Sequence, residues 1–168
     1  LPQKKRSKFI KKFKEIVKDL AFNLKLKNEV FVHRDFHVSN LMFVNKKIGV
    51  IDSQDALIGN RAYDLASLID DVRLRTSKLF KNRIYNFFVK KQKKIDKFKF
   101  KNDFDILSVL RNLKIIGIFT RLAVRDNKKN YLKLIPYSWE LINMRIHENE
   151  IFKDLKNLLI RNFKKNVK

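Results

Sequence analysis

Between Val30 and Asp52 the chain alternates short apolar runs with polar turns, at a spacing too tight for helices, and this stretch constrains the fold more than any other. Val30-Phe31-Val32 reads as a short buried strand that delivers His33 to a loop. Leu41 to Val44 and Ile48 to Ile51 read as two further strands, joined across Asn45-Lys46-Lys47, where Asn45 supplies turn chemistry. Between Asp35 and Asn40, the residues Val38 and Ser39 suit a tight loop that aims both polar side chains at one place. The hairpin then returns Asp52 beside Asn40.

An Asp, an Asn downstream of it and a second Asp after a hairpin form an oxygen-rich cluster suited to a hard divalent cation and a hydroxyl nucleophile. Those are the needs of phosphoryl transfer. An alcohol is a poor nucleophile at neutral pH, so a carboxylate must orient its oxygen and receive its proton, and Asp35 is the candidate. Magnesium takes octahedral oxygen coordination with one or two protein carboxylates, leaving places for phosphate and water. Asn40 offers a neutral amide oxygen to it and Asp52 a charged one.

The H-x-D-x-x-x-x-N spacing from His33 to Asn40, followed by Val50-Ile51-Asp52, is specific in combination. With Gly59 and Ala62-Tyr63-Asp64-Leu65-Ala66, these residues resemble the catalytic segment of the aminoglycoside phosphotransferase/choline kinase superfamily, relatives of the protein kinases. Closer still, His33-Arg34-Asp35-Phe36-His37, Asp52-Ser53-Gln54-Asp55-Ala56 and Ile58-Gly59-Asn60-Arg61-Ala62-Tyr63-Asp64 resemble the bacterial cell-wall amino-sugar kinases. Those enzymes phosphorylate N-acetylmuramate and N-acetylglucosamine at the anomeric hydroxyl. The likeness continues through Gly117 to Ala123 and from Tyr131 to Trp139, and departs at Ser53, where that group usually carries an aromatic residue.

The resemblance implies ATP as co-substrate, Mg2+ as cofactor, and an orienting role for His33 in the loop. It gives Asp64 the task of holding backbone amides of that loop, at a helix start where the dipole favours a carboxylate. It places Met42 under an adenine ring, where a polarizable side chain suits a flat ligand; the alternative for Met42 is ordinary core packing. It also requires a β-rich lobe with a glycine-rich turn over the phosphates, and Gly49, Gly59 and Gly117 are the only glycines here. The expected fold is therefore α+β and mostly α: the C-terminal helical lobe of a protein-kinase-like fold, one domain over residues 1–168, with the N-terminal β lobe absent and a short hairpin carrying the catalytic and metal residues. That lobe of the same parent chain is the expected partner, beside a small-molecule substrate, and without it this chain should have little or no activity. The start at Leu1 rather than Met agrees with a fragment.

Four substrate-side candidates stay open. His37 either contacts substrate or phosphate or makes a structural hydrogen bond; Asp55 either faces the sugar and cation or caps local amides. Arg121 and Arg125, one helical turn apart, either reach the acceptor's acidic group or phosphates, or form a surface pair with carboxylates such as Asp126. Neither His33 nor His37 has a partner at the spacing of a zinc site.

Ser53 to Asn60 reads as a loop in which Gly59 permits a backbone turn, and the rest reads as helix: Ser7 to Leu26, Arg61 to Val72, Leu79 to Gln92, Phe104 to Val124, Tyr131 to Ile146 and Ile151 to Phe163, with a lysine-rich connection over Lys90 to Lys101. Gly117 is expected to allow close helix packing, and Pro136 to delay or kink its helix. A net charge of +23 raises nucleic acid as a partner, but the lysines are scattered among abundant Asn, Ile and Phe, so nucleic acid is not the expected partner. The absence of Cys, of a secretory leader and of any membrane-length apolar run points to the cytoplasm and away from membranes. The alternatives are a kinase for another small alcohol, such as an aminoglycoside, choline or homoserine, and a non-catalytic basic binding module.

Overall fold

The structure is a computed structural model that describes residues 3–167. Four short strands lie among them: β1 (Asn28–Val32), β2 (Leu41–Val44), β3 (Lys47–Val50) and β4 (Leu57–Asn60). The helices are α1 (Gln3–Phe22), α2 (Ala62–Ile69), α3 (Lys78–Lys91), α4 (Lys97–Arg125), α5 (Ile135–Ile146) and α6 (Lys153–Phe163). The fold is thus α+β and mostly helical. It divides into two compact units, one spanning Lys25–Arg111 and the other the described residues up to Leu24 together with those from Asn112 onward.

In the first unit, β2 and β3 form the expected antiparallel hairpin. Its turn is tighter than the sequence suggested: Val44 pairs with Lys47, and Asn45 and Lys46 both adopt positive φ, 49° and 61°. This is the mirror-image turn whose twist matches paired strands. The second ribbon corrects the sequence reading. Ser53 to Asn60 was expected as a loop, yet Leu57–Asn60 is β4, antiparallel to β1 with Val32 opposite Leu57 and Val30 opposite Gly59. Gly59 does not make the turn expected of it. Its φ is not positive, and a Cβ there would meet Leu57 Cδ1 at 2.9 Å and Val32 Cγ2 at 3.1 Å, so the glycine serves close approach within the ribbon. Nor is β1 buried as a whole: Val32 is, whereas Phe31 is 66% exposed, because a two-stranded ribbon covers only one face.

Helix α2 was expected to run from Arg61 to Val72, but it stops at Ile69. The two acidic residues that follow are engaged elsewhere. Asp70 accepts from Ser108 Oγ at 2.6 Å and faces Lys81 Nζ at 3.3 Å, while Asp71 accepts from the amides of Arg73 at 3.0 Å and Val38 at 3.3 Å. Ala62, Leu65, Ala66 and Ile69 of α2 form the core with Val89 of α3 and Phe100 and Phe104 of α4. The connection expected over Lys90 to Lys101 is shorter than predicted. Asp96 Oδ1 accepts from the amides of Phe98 and Lys99 at 3.1 and 3.0 Å, which caps α4 and starts it at Lys97.

Asp103, on that early extension of α4, holds the ribbon in place. Its buried carboxylate accepts from the amides of Lys25 and Leu26, both at 2.8 Å, and from Asn60 Nδ2 at 2.7 Å. Asn60 in turn accepts from the Ala62 amide at 3.0 Å, so one carboxylate ties the entry of β1 to the exit of β4 and the start of α2. Replacing Asp103 with Ala leaves these donors without an acceptor, and the expected loss is about 3 to 5 kcal/mol of unfolding free energy in urea titrations. A loss below about 1 kcal/mol would remove Asp103 from this role.

In the second unit, α1 packs against α6: the Phe9 ring stacks with Phe13 at 5.6 Å and meets Phe163 edge-on at 5.6 Å. Phe163 also lies 5.6 Å from Trp139 of α5. Helix α1 ends at Phe22, earlier than the expected Leu26, where Asn23 donates to the Asp19 carbonyl from both its backbone and its side chain. Pro136 sits in the first turn of α5 and delays that helix, leaving Lys129–Leu134 as a 3-10 turn. Gly117 does not serve close packing, since a Cβ added there would meet nothing within 4 Å. No described helix is long and apolar enough to cross a membrane.

Candidate active site

The loop after β1 is built on a strained residue. Arg34 has φ 73°, a conformation that a long side chain rarely adopts, and something must hold it there. The holder is Asp64, in the first turn of α2. Its two carboxylate oxygens accept from the amides of His33 at 2.7 Å and Arg34 at 3.0 Å. Arg34 Nη1 then donates to the Asp55 carbonyl at 3.2 Å, and His33 Nε2 lies 3.0 Å from the Ile51 carbonyl. The loop is therefore bound both to α2 and to the segment that carries Asp52.

The carbonyl of Asp35 accepts from the His37 amide at 3.0 Å and from Asn40 Nδ2 at 2.9 Å. None of the described residues hydrogen-bonds its half-buried carboxylate. Asn40 is buried, and its Nδ2 also faces Asp52 Oδ2 at 3.5 Å. The Ile51 amide donates to the Asn40 carbonyl at 3.1 Å, closing the hairpin onto the loop. Asp52 is exposed and, at φ 69°, is the second strained residue of the site. Asn40 thus links the Asp35 backbone to the Asp52 carboxylate.

With Nδ2 committed to two acceptors, Asn40 Oδ1 is the atom left for a cation, next to an exposed carboxylate. Among the described residues, no three His, Asp or Glu side chains converge as they would at a closed structural metal site. One amide oxygen and one carboxylate do match magnesium, which keeps most of its positions for water and phosphate.

The remaining sequence candidates are placed as follows. Met42 lies exposed on β2 and is not core packing. Asp55 is exposed, and its carboxylate caps no amide among the described residues; its carbonyl is what engages Arg34. Arg121 and Arg125 belong to the other unit, where Arg125 Nε donates to Asp126 Oδ1 at 2.6 Å and Nη2 to Oδ2 at 3.0 Å, in a solvent-exposed pair.

His37 is buried, and its Nδ1 has no hydrogen-bond partner among the described residues. Burial holds its pKa below the ordinary 6.5, reinforced by Arg73 and Arg111 and opposed by Asp71 and Asp35, so the ring is neutral at neutral pH. On acidification the unfolded chain binds this proton before the folded one does, and stability should fall as pH drops through and below 6.5. His37→Gln should shrink the loss in urea midpoint between neutral pH and about pH 5; an equal loss in both proteins would contradict the assignment.

Sequence reasoning missed the cluster next to His37. Arg111 on α4 is buried, within electrostatic reach of Tyr63, Asp71, Arg73 and Asp35. Burial lowers its pKa, though an arginine stays charged at any physiological pH. Burial likewise raises the pKa of Tyr63, which stays protonated. One signal was present: Arg111 continues the buried stripe of Phe100, Phe104 and Ser108 and precedes Ile115, so a cation interrupts an apolar helical face.

Residues 3–85 match the phosphotransferase enzyme family. The N-acetylmuramate/N-acetylglucosamine kinase of Caulobacter vibrioides is 31% identical over 120 residues, covering 68% of this chain and 33% of the relative. The kinase of the same name from Neisseria meningitidis serogroup B is 39% identical over 64% of this chain and 34% of its own length. That from Pseudomonas aeruginosa is 33% identical over 77% of this chain and 40% of its own length. The chain thus spans between a third and two fifths of the curated relatives it matches.

Proposed function

We propose, from the premise that the chain belongs through residues 3–85 to the phosphotransferase enzyme family, that it forms the C-terminal helical lobe of a longer small-molecule kinase. The kinase moves the γ-phosphoryl group of ATP to a hydroxyl of an amino sugar. The observation that carries this reading is the double hydrogen bond of Asn40 Nδ2, to the Asp35 carbonyl and the Asp52 carboxylate, which supports a site in which Asp35 serves as the base and Asn40 and Asp52 hold the cation.

In this mechanism the acceptor hydroxyl donates to the Asp35 carboxylate, which aligns its oxygen with the γ-phosphorus. The oxygen attacks in line, the proton passes to Asp35, and ADP departs with the bridging oxygen. Asn40 Oδ1 and Asp52 would hold magnesium, which when bound neutralises charge on the phosphate oxygens. Asp64 acts before any chemistry, because its grip on the His33 and Arg34 amides keeps the loop in its strained form.

N-acetylmuramate and N-acetylglucosamine, phosphorylated at the anomeric hydroxyl, are the acceptors we favour, on the names of the relatives and their 31–39% identity. The partial span of those relatives supports a parent chain with a further lobe. So does the apolar surface of the ribbons, where Phe31, Phe43, Ile48 and Ile58 are all more than half exposed. Use of ATP fits a cytoplasmic enzyme. The test is transfer of γ-phosphate from ATP by the full-length protein, offered N-acetylmuramate, N-acetylglucosamine, an aminoglycoside, choline and homoserine in parallel. Label on an amino sugar alone supports the reading; label on another alcohol moves the substrate, and label on none overturns it.

A further inference from the structure

We propose that Asp71 is a positioning residue: from beyond the end of α2 it anchors the turn that carries Asn40, and so sets how tightly the site holds magnesium. This rests on the kinase reading above and goes beyond it by naming what fixes a cation ligand in place.

Asn40 closes a three-residue 3-10 turn, Val38–Asn40, in which the Asn40 amide donates to the His37 carbonyl at 2.9 Å. The first amide of such a turn has no acceptor inside it, and the His37 side chain does not cap it. Asp71 supplies the acceptor from outside: its Oδ2 takes the Val38 amide at 3.3 Å. Its Oδ1 takes the Arg73 amide at 3.0 Å and Arg73 Nη1 at 3.2 Å, which fixes the carboxylate itself. A carboxylate only 1% exposed is costly unless its oxygens are bonded, and here an amide of the catalytic loop is one of the groups that satisfy it.

Two further observations single out this bond. Val38 borders a cavity of about 190 Å³ shared with Leu68, Leu74, Phe80 and Ile84, so packing restrains the turn less on that side and a polar anchor carries more of the restraint. The neighbouring Asp70 already ties this end of α2 to Lys81 and Ser108, at 3.3 and 2.6 Å, whereas Asp71 reaches the loop. Asp64 grips His33 and Arg34 from the first turn of α2, and Asp71 grips Val38 from beyond its last. One helix thus braces the loop on the side of Asp35 and on the side of Asn40.

The experiment uses the full-length protein and compares Asp71→Asn and Arg73→Met with the parent. Asparagine keeps the size of the side chain but has one acceptor oxygen, so it cannot serve Val38 and Arg73 together. Methionine at 73 removes the ion pair and leaves the Val38 bond, since the Arg73 amide is a backbone group. ATP affinity is measured by titration calorimetry with and without magnesium, and hydrogen exchange is followed in the peptide spanning residues 36–42. In D71N the affinity with magnesium should fall about ten- to hundredfold, the usual effect of losing a group that orients a metal ligand, with little change in its absence. Exchange over the turn should quicken about tenfold, as expected for one lost hydrogen bond to a charged group. R73M should show neither change. A general loss of folded protein lowers the number of sites rather than their affinity, and urea midpoints report it separately. Unchanged magnesium dependence in D71N, or an equal loss in R73M, overturns the anchor and leaves the kinase reading intact. If the parent phosphorylates none of the alcohols offered, yet binds ATP with magnesium in an Asp71-dependent way, the kinase reading falls and the anchor stands. A parent without magnesium-dependent ATP binding overturns the anchor.

Discussion

Asp35→Asn in the full-length protein should lower turnover by about two to four orders of magnitude while leaving the chain folded, the usual contribution of a general base. The folded state should survive because the backbone of Asp35 carries the structural load. Its carbonyl accepts from the His37 amide and from Asn40 Nδ2, whereas its carboxylate makes no hydrogen bond to any described residue. An amide of the same shape keeps those contacts and removes only the capacity to take a proton. The measurement is single-turnover phosphate transfer at saturating ATP, with urea midpoints of both proteins compared. Turnover near that of the parent would remove Asp35 from the role of base. Loss of turnover together with a lowered urea midpoint would show instead that the carboxylate supports the loop.

Asp52→Ala should abolish magnesium-dependent nucleotide binding, a loss of at least about a hundredfold in affinity with magnesium and little change without it. Asp52 brings a charged oxygen to the Asn40 amide, with Oδ2 at 3.5 Å from Nδ2, and an amide oxygen alone is a weak ligand for a hard dication. The residue sits at φ 69°, where alanine is strained, so Ala risks moving the loop as well as removing the ligand. Asp52→Asn separates the two effects. Asparagine tolerates that backbone conformation and keeps an oxygen, so it should retain stability and lose most of the magnesium dependence. Nucleotide affinity that stays magnesium-dependent in both variants would sink the assignment of Asp52 as a metal ligand.

The site was legible where its chemistry is local. Asp35 and Asn40 share one tight loop, and Asp52 returns on a hairpin whose turn is two residues long, so the contacts of Asn40 with the Asp35 carbonyl and the Asp52 carboxylate follow from short separations along the chain. Strand β4 was not legible. Its four residues have their hydrogen-bond partners in β1, on the far side of the loop and hairpin, and a run as short as Leu57-Ile58-Gly59-Asn60 carries no periodicity of its own. Helix α4 was misjudged at its start for a local reason: Asp96 is a capping residue in the middle of a lysine-rich run that looked like a linker.

The amino-acid sequence by itself determined the existence of the helices and of the β2–β3 hairpin, because helical periodicity and turn chemistry act between residues close in the chain. Only the tertiary structure decided which buried charges answer one another. Asp103 meets the amides of Lys25 and Leu26 and the side chain of Asn60, and Asp70 meets Lys81 and Ser108, across separations that no local pattern encodes. The physical reason is desolvation. A buried charge must find its partners wherever packing brings them, and packing is a property of the whole unit.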